Sequence, residues 1–151
     1  MLPAAGWCLC LRSVSEADPY GDGSGLDAGG EMAMLATRQV LPSTRSSVTH
    51  KFCVGGHEGY LTVGFHPDGR PGEIFIKMAK EGSTMSGMCQ AFCRAFSLAL
   101  QYGLSLDDAV LRFRGMRFEP MGPTGNPEIP ECSSIVDYVA RFLELNYGEG
   151  R

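Results

Sequence analysis

No stretch of this 151-residue sequence approaches the about 20 consecutive apolar residues that a membrane-crossing helix needs. The mildly apolar start, Met1 to Leu11, has its first cation, Arg12, after the apolar stretch, whereas secretory signals place positive charge before it. A cytoplasmic protein with no membrane partner is expected. Positive charge is scarce as well, with a formal net charge of −4. Binding to a nucleic acid polymer needs clustered Lys and Arg, so that partner class is excluded, while a local basic pocket for one small anion is not. There is no CxxC pair to complete a four-ligand zinc set, no Walker A sequence and no serine elbow or triad signature. No internal repeat is present.

What is there is enough for one domain, on the usual scale of about 100–200 residues each. Hydrophobic residues make up 44% of the chain, too many for general disorder. The six cysteines are scattered: Cys8 and Cys10 near the start, Cys53 in a predicted strand, Cys89 and Cys93 on one predicted helix, and Cys132 before the last helix. Without a secretory signal they are expected to be reduced, most of them as small buried apolar side chains.

Residues 1–44 form a separate compositional zone. Their middle, residues 16–30, is rich in Gly and Asp and has no hydrophobic period, so it is expected to be a disordered leader. Met32 and Met34 are alternative starts just before the ordered pattern. The domain is expected over 45–148, with 149–151 as a tail. Residues 48–54 alternate and favour strand until Gly55-Gly56 breaks them; residues 60–65 and 73–78 read as two further strands around the turn His66-Pro-Asp-Gly-Arg-Pro-Gly72. The last two strands should form an antiparallel hairpin, with Ile74 and Ile76 on one face and Phe75 and Lys77 on the other.

Ser83 or Thr84 caps the strongest predicted helix, where Met85, Met88, Cys89, Phe92, Phe96 and Ala99 recur at helical spacing before Gly103. Ser105 caps a second helix through Phe113. Ser133 or Ser134 caps a third, with Ile135, Val139, Phe142 and Leu143 as its buried stripe. Residues 117–131 hold four prolines and are expected to be irregular. The expected fold class is α+β: a small antiparallel β-sheet of about three to four strands packed against two to three α-helices.

Several side chains could carry binding chemistry. Lys77, Lys80, Ser83 and Thr84 lie between a strand and a helix N-terminus, where backbone N–H groups and the helix dipole favour a phosphate. The same residues also fit a plain capped helix with solvated lysines. In the irregular stretch, Arg117 could fork onto phosphate, Phe118 could stack a base and Asn126 could read a base edge. Equally, Arg117 could pair with Glu119 while Phe118 fills the core. His50, Cys53 and His57 are suggestive as metal ligands, but strand alternation points His50 and Cys53 to opposite faces, so no metal site is expected. No catalytic residue is assigned. Exposed apolar residues on the helices could form a homo-oligomer interface.

The run Thr49-His-Lys-Phe followed by Gly55-Gly-His-Glu-Gly-Tyr60 resembles the start of the TSCPD domain, found at the C-terminal end of vitamin B12-dependent (class II) ribonucleotide reductases. Glu73-Ile-Phe-Ile-Lys-Met-Ala-Lys-Glu-Gly-Ser-Thr-Met-Ser-Gly87 is the most specific block. Ser97-Leu-Ala-Leu-Gln-Tyr-Gly103, Arg117-Phe-Glu-Pro120, Thr124-Gly-Asn-Pro127 and Ser134-Ile-Val-Asp-Tyr138 follow in the family's order. The likeness covers residues 47–147. It implies an accessory domain of a ribonucleoside-diphosphate reductase system, working in deoxyribonucleotide synthesis with a separate catalytic subunit as partner and a nucleotide as ligand. The resemblance puts adenosylcobalamin and the radical cysteine on that subunit, and no cofactor on this chain. Full-length family members also carry a Cys-rich tail, and this sequence reaches Arg151 without one, which leaves the small half of a split reductase, a stand-alone accessory subunit or an independent relative as expectations and favours the rival below. A similar domain occurs in phage anti-defence proteins that sequester cyclic nucleotide signals as oligomeric sponges, which is the rival expectation.

Overall fold

The computed structural model describes residues 36–148. Residues 1–35 of the leader expected over 1–44, the alternative starts and the expected tail at 149–151 lie outside them. Eight elements follow in order: β1 (Ser47–Val54), β2 (His57–Phe65), β3 (Pro71–Met78), α1 (Thr84–Gln101), α2 (Leu106–Phe113), β4 (Gly122–Asn126), β5 (Ile129–Cys132) and α3 (Ile135–Tyr147). The strands form one five-stranded sheet in the order β3-β2-β1-β4-β5, with every neighbouring pair antiparallel.

Alternation along the first three strands divides the sheet into a covered and an open face. Phe52, Val54, Leu61, Val63, Ile74, Ile76 and Met78 are buried against the helices. On the other side Lys51, Tyr60, Phe75 and Lys77 are exposed, aligned across the strands by the pairs Lys51↔Tyr60 and Tyr60↔Lys77. The β1–β2 connection is the two-residue loop Gly55-Gly56, with φ of 53° and 81°. Positive φ at both positions suits glycine and matches the twist of the flanking strands. At Gly55 there is a second reason, because a Cβ would lie 2.6 Å from the Met121 carbonyl oxygen.

The α+β class and the β2–β3 hairpin are as the pattern predicts, with five strands where about three to four are expected. The addition comes from the proline-rich stretch, which folds as the β4–β5 hairpin instead of remaining irregular. The prolines occupy places where a missing N–H costs little. Pro130 lies in the outermost strand, and Pro127 in the turn between strands. Pro123 contributes its carbonyl, which accepts from Gly55 N–H at 3.1 Å, and the β4–β5 register shifts between Pro123 and Asn126.

Serines cap all three helices among the described residues. Ser83, Ser105 and Ser134 accept from the backbone N–H of Ser86, Asp108 and Asp137 respectively. The buried side of α1 differs from the expected stripe. Cys89, Cys93, Phe96 and Leu100 are buried together with Ser86, Ser97 and Gln101, whereas Met88 is 66% exposed. The reason is that α1 packs chiefly on β3, the edge strand, and meets backbone there as well as apolar side chains.

Candidate functional site

An edge strand presents backbone N–H and C=O groups with no neighbouring strand to take them. At β3 the polar residues on the buried side of α1 take that place. Ile74 N–H donates to Ser97 Oγ at 2.9 Å, and the Ser97 hydroxyl in turn donates to the Cys93 carbonyl at 2.7 Å. Gln101 Nε2 donates to the Gly72 carbonyl at 3.1 Å. The amide oxygen of Gln101 accepts from Arg38 Nε at 2.8 Å, which ties the segment before β1 to the end of α1. Above this seam runs a cleft of about 570 Å3, with Arg38, Phe75, Lys77, Arg94 and Leu98 among its walls. Lys77 is exposed there and paired with Glu81 at 3.0 Å.

Lys80 and Ser83 lie in the connection from β3 to α1. Lys80 is exposed, its carbonyl accepting from the Ser83 hydroxyl at 3.0 Å, and Ser83 Oγ accepts from Ser86 N–H at 3.2 Å. Thr84 is exposed in the first turn, where helix N–H groups lack intrahelical partners. Thr84 also lines a second groove, of about 520 Å3, on the other flank of α1. This one is apolar, walled by Met85, Met88, Phe92, Met116 and Phe118. Phe118 is 41% exposed, and its backbone N–H donates to the Ser133 carbonyl at 3.1 Å.

Arg117 points elsewhere, into a polar pocket of about 490 Å3 shared with Glu131, Ser133 and Arg141. Beneath it lies the buried carboxylate of Asp137, which accepts from Gly115 N–H at 2.7 Å, Ser133 N–H at 3.0 Å and the Ser133 hydroxyl at 3.1 Å. Arg141 Nε completes the set at 3.1 Å. Burial pushes the Asp137 carboxyl up, but the donors and the guanidinium outweigh it and the net direction is down.

Asn126 sits in a third place. Its Oδ1 accepts from Glu128 N–H at 3.0 Å, closing the β4–β5 turn, and its Nδ2 donates to the Tyr138 hydroxyl at 3.2 Å. That hydroxyl lies 2.8 Å from His50 Nε2. Desolvation lowers the His50 pKa, favouring the neutral ring. With the phenol accepting from Asn126, it donates to Nε2, which puts the imidazole proton on Nδ1.

Of the residues singled out from sequence, Thr84 and Phe118 share the apolar groove, and Lys77, Lys80 and Ser83 flank the start of α1. Arg117 and Asn126 line two other pockets. Sequence reasoning missed Arg38, Arg94, Ser97 and Gln101. Ser97 and Gln101 left a readable signal: polar residues four apart on the apolar side of a helix. Arg38 left none, because only the folded chain brings it to α1.

The cysteines of α1 are poor nucleophiles. Burial pushes the Cys93 thiol up to about 12, with the neighbouring Cys89 adding to the rise, and burial likewise raises Cys89 and Cys132. Cys53, Cys89, Cys93 and Cys132 are all free, whereas Cys8 and Cys10 lie outside the described residues. Among the described residues no group of three or more His, Cys, Asp or Glu is placed to hold a metal ion. No helix among them is long and apolar enough to cross a membrane.

Comparison with known proteins gives one family. The model described as "TSCPD domain" matches residues 34–147. The chain is 55% identical over 113 residues to a vitamin B12-dependent ribonucleotide reductase of Rhodopirellula baltica, covering 75% of this chain and 11% of that protein. It is 48% identical over 110 residues to the proteins of the same name from Streptomyces avermitilis and Streptantibioticus cattleyicolor, covering 73% of this chain and 11% and 18% of theirs. The chain thus spans between a tenth and a fifth of these relatives. No solved structure matches it at a significant level.

Proposed function

We propose, from the premise that this chain belongs to the TSCPD domain family, that it serves a vitamin B12-dependent ribonucleotide reductase as a non-catalytic domain, binding a nucleotide and assembling with the catalytic subunit. The observation that carries the reading is the 55% identity over 113 residues to one region of such a reductase. The chemistry agrees with an accessory role. Cys89, Cys93 and Cys132 keep their thiols protonated, which suits packing and not thiolate attack or disulfide exchange. A cytoplasmic location goes with this reading.

Adenosylcobalamin belongs, in this proposal, to the catalytic subunit. The cleft beside β3 holds about 570 Å3, within the range of roughly 300–1,000 Å3 that suits an ordinary small-molecule ligand. That is the scale of a mononucleotide; a corrinoid is far larger, and these residues do not fit one. No step of cobalamin chemistry is assigned to them.

The test is reconstitution. The full chain is mixed with a B12-dependent reductase catalytic subunit lacking its own TSCPD domain, and the mixture is followed by size exclusion with light scattering and by nucleotide reduction. A complex with altered reduction is the expected result. Absence of both removes the subunit reading. Tight retention of a cyclic nucleotide by an oligomer of this chain would replace it with sequestration.

A further inference from the structure

The cleft between β3 and α1 differs from the other pockets in its charge. Its walls carry the cations Arg38, Lys77 and Arg94 and the anions Glu73 and Glu81. Glu81 is neutralised by Lys77, and Glu73 by Arg45 from outside the cleft. Arg38 meets a neutral partner, the Gln101 amide. Arg94 is exposed and has no hydrogen bond or ion pair among the described residues. Two guanidinium groups are therefore left uncompensated in a chain whose formal net charge is −4.

The two arginines can act on one ligand. Arg38 is held at the level of Gln101, seven residues beyond Arg94 on the same helix, or about 10 Å along its axis. Long flexible side chains converge over that interval, and guanidinium forks match phosphate oxygens two at a time. A third wall supplies a different contact. Phe75 lies on the open side of β3 and is 51% exposed, a flat surface for a base. The floor is neutral and already hydrogen-bonded, through Ser97 and Gln101 to Ile74 and Gly72, so a ligand need not break the seam.

The rival positions are less suited. In the pocket beside Arg117, the second cation, Arg141, is engaged by Asp137 and the Glu131 carbonyl. The apolar groove at Phe118 has no cation among its walls.

We propose that this cleft binds a nucleoside di- or triphosphate, with Arg38 and Arg94 on the phosphates and Phe75 against the base. The inference rests on the nucleotide-binding reading above and gives it a location away from Arg117 and Asn126. It is tested by calorimetric titration of the full chain with ADP, dATP and inorganic pyrophosphate. The titrations are repeated on Arg94→Ala, Phe75→Ser, Lys80→Ala and the surface control Arg112→Ala, each checked for an unchanged thermal midpoint. The wild-type chain is expected to bind ADP or dATP, and Arg94→Ala to weaken binding by about tenfold or more, the loss of one charged hydrogen-bonding group. Phe75→Ser should weaken the nucleotide and leave pyrophosphate unchanged, and Arg112→Ala should change neither. Unchanged nucleotide binding in both Arg94→Ala and Phe75→Ser, or a loss confined to Lys80→Ala, overturns this location and leaves the nucleotide reading standing. Pyrophosphate bound as tightly as ADP overturns the base contact and with it the nucleoside assignment. A wild-type chain that binds no nucleotide overturns both.

Discussion

The two ends of the sheet are closed by different chemistry. At the β3 end the exposed strand edge is covered by neutral groups from one helix: the Ser97 hydroxyl on Ile74 and the Gln101 amide on Gly72. At the other end, where β5 runs into α3, the polypeptide is gathered around a single buried charge, the Asp137 carboxylate, with Gly115, Ser133 and Arg141 as its donors. Bonds to an ionised acceptor are stronger than neutral ones, but they last only while the acceptor stays ionised. The Ser97 and Gln101 bonds at the β3 end should therefore be indifferent to acid in the carboxylate range, and the Asp137 cluster at the α3 end should not. A cleft built over a neutral floor can also vary the charges on its rim without disturbing the fold.

The largest effect that would test this contrast comes from Asp137→Ala. It strands the backbone N–H groups of Gly115 and Ser133, at about 1–3 kcal/mol for each unsatisfied group, so a total loss of about 2–6 kcal/mol is expected in urea unfolding. The same residue sets the acid response. Its folded pKa is depressed, so between the unfolded value, about 3.9, and the lower folded value the unfolded chain binds more protons. The stabilisation is present above that window and is lost as pH falls through it. Asp137→Asn should flatten this part of the pH profile while keeping one acceptor in place. A profile identical to wild type would place the acid response elsewhere.

Next in size is Ser97→Ala, which removes the partner of Ile74 N–H at the opposite end. A cost of about 1–3 kcal/mol is expected. The loss should be the same at pH 7 and at about pH 3, below the usual Asp value, and a loss that varies with pH would break the contrast. Tyr138→Phe should cost about 1 kcal/mol, since it deletes the hydroxyl between His50 and Asn126 while keeping the buried ring. The smallest effect is expected at Met88→Ser. At 66% exposure this residue contributes little to the core, and a change within about 0.5 kcal/mol is expected. A larger loss, dependent on protein concentration, would indicate that a second copy covers the apolar groove.

Much of the fold was legible because local physics sets it. Period-two alternation marks β1 to β3, and the Gly55-Gly56 pair marks a tight turn. Ser83, Ser105 and Ser134 each announce a helix start. The β4–β5 hairpin was hidden, because proline density argues against strand wherever the ladder needs donors, and the exemption of an outer strand exists only once sheet order is known. Met88 was misleading for a related reason. Helical spacing places it near the apolar stripe, but the position of β3 selects which side of that stripe is covered.

The candidate site was legible only in parts. Lys77, Lys80, Ser83 and Thr84 stand together in sequence, but Lys77 lines the cleft beside β3 and Thr84 the apolar groove on the other flank of α1, with Lys80 and Ser83 in the connection between them. Arg117, Phe118 and Asn126, read as one binding loop, line three separate pockets. A strand and its turn carry Asn126 away, and adjacent residues of extended chain direct Arg117 and Phe118 to different surroundings. By itself the sequence determined the family, the α+β class, the helix starts and the core faces of the first three strands, since each depends on residue type at short spacing. Tertiary structure alone decided the fifth strand, the sealing of β3 by α1, and the meeting of Arg38, Arg94 and Phe75 along one cleft. Those follow from contacts between residues distant in the chain, whose pairing no local period records.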